Sequence, residues 1–208
     1  MLKVGLTGGV ACGKSTILAM FERRGAFIIR ADEIAHELMR PGQLVYDKVV
    51  AAFGCEILES DGTISRPRLG EIAFGHNRIG ELNALVHPEV IRYQNEWLEH
   101  VRWREQHAIA IVEAALLIEA NAHTSLDKVI VVTCSDEERI RRFQLRTGLE
   151  EQAARVEVGR RMKNQLSEAE KIKLADYVVD NSGDFEFAEQ QVGPIWGSLR
   201  QDEAKSRQ

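Results

Sequence analysis

The run Gly8-Gly9-Val10-Ala11-Cys12-Gly13-Lys14-Ser15-Thr16 constrains the fold of this chain more than any other segment. It satisfies the pattern G-x-x-x-x-G-K-[S/T], with Gly8, Gly13, Lys14 and Ser15 at the fixed positions. Its neighbours agree: Leu2 to Leu6 reads as a short buried strand entering the loop, and Ser15 to Arg24 as a helix leaving it. Glycines let backbone N–H groups turn inward around phosphate oxygens. The helix N-terminus adds positive partial charge at the same spot. In such a loop the lysine reaches the β- and γ-phosphates and the serine hydroxyl ligates Mg²⁺. Gly8, Gly9, Ala11, Cys12, Gly13, Lys14, Ser15 and Thr16 are therefore candidates for binding a nucleoside triphosphate, with Ser15 the candidate metal ligand.

Further apolar runs follow at Ala26–Ile29, Ala108–Val112, Val129–Val132 and Tyr177–Val179, separated by longer helical patterns. Nearly continuous β-branched runs suit parallel strands covered on both faces. Helix-sized connections then predict a doubly wound α/β fold with a five-stranded parallel sheet. Two segments exceed an ordinary connection. Residues 35–107 read as a helical acceptor-binding subdomain, and the charged stretch 147–174 as a mobile helical lid. The core is then 1–34, 108–146 and 175–208, with a frayed polar end over 201–208.

A chain of 208 residues with 44% hydrophobic and 28% charged residues can bury one substantial core. Its net charge of −5 gives no reason to expect a nucleic-acid partner. No apolar run approaches the ~18 residues of a membrane span, and the first residues enter strand and loop rather than a signal peptide. Cys12, Cys55 and Cys134 are widely spaced, which argues against disulfides or zinc and for a reducing compartment. The expectation is a cytoplasmic protein without a membrane partner.

In open α/β sheets ligands bind beyond the C-terminal ends of the strands. Asp32 falls there after the second strand, where a carboxylate can orient an acceptor hydroxyl and take its proton. It can equally cap the helical run Glu33 to Arg40. A guanine-reading N-K-x-D is missing, so a GTP-hydrolysing switch is disfavoured; a nucleoside or nucleoside-monophosphate kinase and a non-catalytic nucleotide-binding scaffold remain as rivals.

Several motifs then narrow the field: Ala31-Asp32-Glu33-Ile34-Ala35-His36-Glu37, Phe53-Gly54 with Asp61-Gly62-Thr63-Ile64-Ser65-Arg66, Leu85-Val86-His87-Pro88, Leu116-Leu117-Ile118-Glu119, and Asp180-Asn181-Ser182-Gly183. In this order and spacing they resemble the dephospho-coenzyme A kinase family over nearly the whole chain. The resemblance implies a nucleoside-monophosphate-kinase-like P-loop core. It also implies ATP as phosphoryl donor, Mg²⁺ as cofactor and the ribose 3′-hydroxyl of dephospho-coenzyme A as acceptor. It assigns catalysis to Asp32 and Lys14, with Arg142 and Arg161 on phosphate oxygens in roles that can be exchanged. It places Gln165 in the lid and Asn181 against adenine, although Asn181 also suits a turn beside Gly183. Glu113, Leu116 and His87 fall on the substrate side; Pro88 also makes His87 a natural helix start.

The chain departs from the family at Arg30, where an acid is frequent, and at Glu113, where an aspartate is frequent. Ser167 stands in place of a frequent proline and predicts a looser hinge. Cys12, beside a lysine at a helix N-terminus, is either a thiol of lowered pKa that alkylation would attack or a small residue tolerated in a tight loop. Trp97 and Trp103 read as core or domain-edge packing, and His36, His76, His100, His107 and His123 show no metal-ligand spacing.

Overall fold

A computed structural model describes residues 1–75 and 78–205, with the backbone alone at Phe74; His76 lies outside the described residues. Two compact units emerge, Met1–Ile29 with His100–Gln208, and Arg30–Glu99.

The first unit is built on a sheet of β1 (Leu2–Gly8), β2 (Phe27–Arg30), β3 (Ile109–Glu113), β4 (Lys128–Thr133) and β5 (Tyr177–Asp180), in the order β2-β3-β1-β4-β5. β1 runs parallel to β3 and to β4, and β4 parallel to β5. The three central strands are buried on both faces almost throughout, whereas β2 and β5 at the edges are only partly covered. Continuous apolar runs at the centre and mixed ones at the edges are what two covering helix layers demand.

On one face α1 (Lys14–Arg23) and α9 (Phe185–Lys205) contribute Ile17, Leu18, Met20, Phe21, Ala188, Val192 and Leu199 to a core with Val4, Leu6, Ile111 and Ile130. Burying side chains of this size stabilises by roughly 1.5–3 kcal/mol each. Ile118, Val129 and Val131 form a second cluster, against which Leu166 and Ala175 pack. A third joins α6 (Asp136–Thr147) to α7 (Glu151–Met162) through Ile140, Phe143, Ala154 and Val158, with Val10 and Ala11 of the loop packed on it. A short α8 (Glu168–Lys173) precedes β5.

The helix α9 continues through Lys205, so residues 201–205 are ordered rather than frayed. The reason is Glu203, which is fully buried 3.0 Å from His107 Nδ1 and 3.8 Å from the N-terminal ammonium. Trp103 is 85% exposed, which overturns the expectation that it packs.

The second unit holds α2 (Ala31–Leu38), α3 (Leu44–Phe53), α4 (Arg66–Gly75) and most of α5 (Ile79–Arg104). Its turn is local chemistry: Asp61 Oδ1 accepts from Thr63 N at 3.0 Å and Thr63 Oγ1 at 2.6 Å, while Tyr46 donates to the Gly62 carbonyl at 2.6 Å. Pro88 lies well inside α5 rather than at its start, so the His87-Pro88 pair does not open a helix. Val86, Val90 and Leu98 are buried along α5, and their burial offsets the hydrogen bond that proline forfeits. Among the described residues no helix is long and apolar enough to cross a membrane.

Candidate active site

The loop between β1 and α1 is shaped by close approach from below. Gly13 opens α1 with φ 83°, and a Cβ there would collide with the Asn181 amide and come within 2.9 Å of Arg142 Nη1. Ala11 takes the same left-handed region at φ 55°, a conformation that costs a non-glycine residue about 1–2 kcal/mol. Within the loop, Cys12 N reaches Gly9 O at 3.4 Å and Thr16 N reaches Gly13 O at 3.0 Å. The N–H groups of Ala11, Gly13 and Ser15 have no acceptor among the described residues, while that of Lys14 meets the Cys12 thiol. Lys14 Nζ folds back on the loop, donating to Gly8 O at 3.2 Å and to Gly9 O at 3.3 Å. A concave set of free N–H groups beside a lysine and a helix N-terminus is a cradle for phosphate. Ser15 and Thr16 are exposed at the start of α1, and the Ser15 hydroxyl has no partner among the described residues. This donor set fits a triphosphate with its Mg²⁺.

Distant residues hold the loop in place. Asn181, buried at the end of β5, donates from Nδ2 to the Cys12 carbonyl at 2.8 Å. Arg142 on α6 donates from Nη1 to the same carbonyl at 3.1 Å, from Nη2 to Asn181 O at 2.8 Å and from Nε to Glu138 at 2.8 Å. Arg139, one turn earlier, is buried against Val10. Sequence reading missed Arg139 because an arginine among Glu137, Glu138, Arg141 and Arg142 resembles any solvated helix face.

Cys12 is 1% exposed, and burial raises its thiol pKa despite the opposing charges of Lys14 and Arg139. Of the two readings of Cys12, the thiol of lowered pKa and ready alkylation is therefore overturned: desolvation outweighs the neighbouring cations. Cys12 is a small residue filling a tight loop.

Glu113 ends β3, buried and level with Leu6, and Leu116 follows, 42% exposed. Gln165 donates to the Ala115 carbonyl at 3.4 Å, and Thr7 Oγ1 lies 3.5 Å from the same oxygen. Arg161 on α7 donates to Glu157 at 2.8 Å and stacks over Phe143, its guanidinium 5.2 Å from the ring centroid. Ser167 caps α8 in a reciprocal capping box with Glu170, which corrects the expectation of a loose hinge. The start of α8 is held further by Leu166 N on Glu119 at 2.9 Å and by Lys171, 2% exposed, on Glu119 at 3.0 Å.

Asp32 and His87 belong to the second unit. Asp32 lies within the first turn of α2 and is exposed, without a hydrogen bond or ion pair to any described residue. It is not the helix cap: Arg30 holds that position and no side chain bonds there. The strand runs directly into helix, so the cap falls two residues before the aspartate. His87 is half-buried on α5. Among the described residues no three histidine, cysteine or acidic groups gather as a metal site.

A parallel sheet whose first strand opens through this loop into a helix defines a P-loop kinase core. A shikimate kinase structure from Bacteroides thetaiotaomicron shares that fold at 14% identity and TM-score 0.52, covering 95% of this chain and 98% of that one. A family model described as dephospho-CoA kinase matches residues 2–186, and the chain belongs to that family. It is 37% identical over 208 residues to the dephospho-CoA kinase of Syntrophus aciditrophicus, covering all of this chain and 87% of that protein. To the Geobacter sulfurreducens dephospho-CoA kinase it is 39% identical over 194 residues, covering 93% of this chain and 96% of the other. A solved dephospho-CoA kinase from Campylobacter jejuni superposes with TM-score 0.67 at 26% identity, covering 96% and 98% of the two chains.

Proposed function

We propose that this chain transfers the γ-phosphoryl group of ATP to the ribose 3′-hydroxyl of dephospho-coenzyme A, giving coenzyme A and ADP. The observation that carries the reading is the set of free N–H groups at Ala11, Gly13 and Ser15 in the loop on which the Lys14 ammonium is folded back. Family membership supplies the acceptor.

The loop N–H groups hold the β- and γ-phosphates, and Lys14 leaves its two carbonyl contacts to follow charge onto the transferred group. Ser15 would hold Mg²⁺, which when bound offsets charge on the same oxygens. Asp32 is exposed and uncommitted, as a group must be that orients the 3′-hydroxyl and accepts its proton. Arg161 is 48% exposed, so it is the arginine open to phosphate oxygens. Arg142, spent on Cys12 and Asn181 carbonyls, acts through the loop as a positioning residue. Glu113, Leu116 and His87 remain on the acceptor side by resemblance, whereas the Asn181 amide, engaged on the Cys12 carbonyl, supports the loop rather than the adenine that resemblance gave it.

The test is ATP-dependent transfer to dephospho-coenzyme A with adenosine and AMP as competing acceptors, for wild type and Asp32→Asn, with ATP binding measured separately. Selective 3′-phosphorylation lost in the variant while ATP still binds supports the reading. Transfer only to another acceptor overturns it, and full activity in Asp32→Asn removes the aspartate from the chemistry.

A further inference from the structure

Arg139 belongs to none of the sequence motifs, yet it heads the fully buried side chains at 1% exposure. Its Nη1 donates to Val10 O at 2.9 Å, and its Nη2 to Cys134 O at 3.2 Å and Glu168 Oε2 at 2.9 Å. Asp136 is 3.5 Å from Nε but 73% exposed, and Nε has no hydrogen-bond partner among the described residues. Glu168, 37% exposed, is thus the principal counter-ion of a buried cation.

The loop is built around this guanidinium. A Cβ on Gly9 would collide with Arg139 Nη1, so the second glycine, which the phosphate-loop pattern does not require, is accounted for by this close approach. Val10, whose carbonyl the guanidinium grips, immediately precedes the left-handed Ala11. The strained turn is therefore held from behind at the point where it reverses.

We propose that Arg139 is a positioning residue for nucleotide binding: through the Val10 carbonyl it holds the turn that aims the loop N–H groups at phosphate oxygens. Glu168, the first residue of α8, completes the strap by fixing the guanidinium. The grip on nucleotide then depends on how α8 is seated, just after Arg161 and Gln165. The inference rests on the loop being the ATP phosphate cradle.

The experiment measures ATP dissociation constants by calorimetric titration without acceptor, at a temperature where circular dichroism shows each protein folded. Wild type is compared with Glu168→Gln, Arg139→Met, Arg139→Lys and the double variant Glu168→Gln/Arg139→Met. Glu168→Gln should weaken ATP about threefold and Arg139→Met about tenfold, as expected for losing a charge-assisted bond and a buried donor. The double variant should bind like Arg139→Met alone, since contacting residues are not additive. Arg139→Lys should recover part of the loss. If Arg139→Met does not fold, Gly9→Ala dislodges the guanidinium without removing its charge and should weaken ATP comparably. Wild-type affinity in Glu168→Gln, even with a lower melting temperature, overturns the strap, as do losses that multiply in the double variant. Failure of wild type itself to bind ATP overturns the cradle, and the strap with it.

Discussion

Replacing Asn181 separates two jobs that its position allows. In the structure its Nδ2 supports the Cys12 carbonyl at 2.8 Å, and that oxygen also accepts from Arg142 at 3.1 Å. Asn181→Ala therefore removes one hydrogen bond without orphaning the acceptor, at a cost of about 1 kcal/mol. Asn181→Asp removes the donor and sets a carboxylate oxygen against the carbonyl; the cost rises to about 2–3 kcal/mol. In a domain of this size that corresponds to melting-temperature drops of roughly 3 °C and 6–9 °C. Because the strut shapes the phosphate cradle, ATP and GTP affinities should fall by the same factor in both variants. Thermal melts, with parallel ATP and GTP titrations, check both parts. A change in the ATP-to-GTP ratio in Asn181→Ala would refute the strut and place the amide on the base instead. Equal stability of the Ala and Asp variants would refute the hydrogen-bond argument.

Native protein should release about one equivalent of thiol to a disulfide reagent rapidly, from exposed Cys55. Cys12 is buried with a raised pKa and Cys134 is pushed up to about 11, so both should react only on unfolding; fast Cys12 modification in peptide maps would contradict this. In the Glu119–Lys171 pair, Glu119→Ala should destabilise by about 3–5 kcal/mol because it leaves a buried ammonium without its partner. Lys171→Met should cost less, since Glu119 is 17% exposed and keeps Leu166 N; urea midpoints in the reverse order would sink the argument. Arg160 first, and Arg161 second, hold the Glu157 carboxyl at about 2, below its ordinary 4.5. A depressed carboxylate contributes stability above the ordinary value and loses it as pH falls toward 2. With partners 57% and 48% exposed the contribution is under about 1 kcal/mol. Glu157→Gln should thus differ from wild type at pH 6 and converge with it near pH 2; a pH-independent difference would exclude the linkage.

Legibility followed the range of the interactions. Strand runs such as Ile109–Glu113 and Lys128–Thr133 announce themselves because a central parallel strand is apolar on both faces. Asp61 and Thr63 form their turn within a few residues, and that too is local. Pro88 misled because local chemistry favours a helix start, whereas packing along α5 carries the helix through it. Cys12 left two readings open because neighbours in sequence suggest charge, while burial depends on what closes over the loop.

By itself, then, the sequence determined the phosphate loop, the strands and the helix that follows. Glycine freedom, β-branched runs and a helix N-terminus act through adjacent residues. Only the tertiary structure decided what stands behind that loop. Asn181 reaches Cys12 across 169 residues, Arg142 reaches it across 130, and Arg139 reaches Val10 across 129. A helical period tells which side chains share a face, but not which carbonyl that face will meet. Where a buried guanidinium or amide satisfies its donors is settled only when the sheet brings the ends of β1, β4 and β5 side by side.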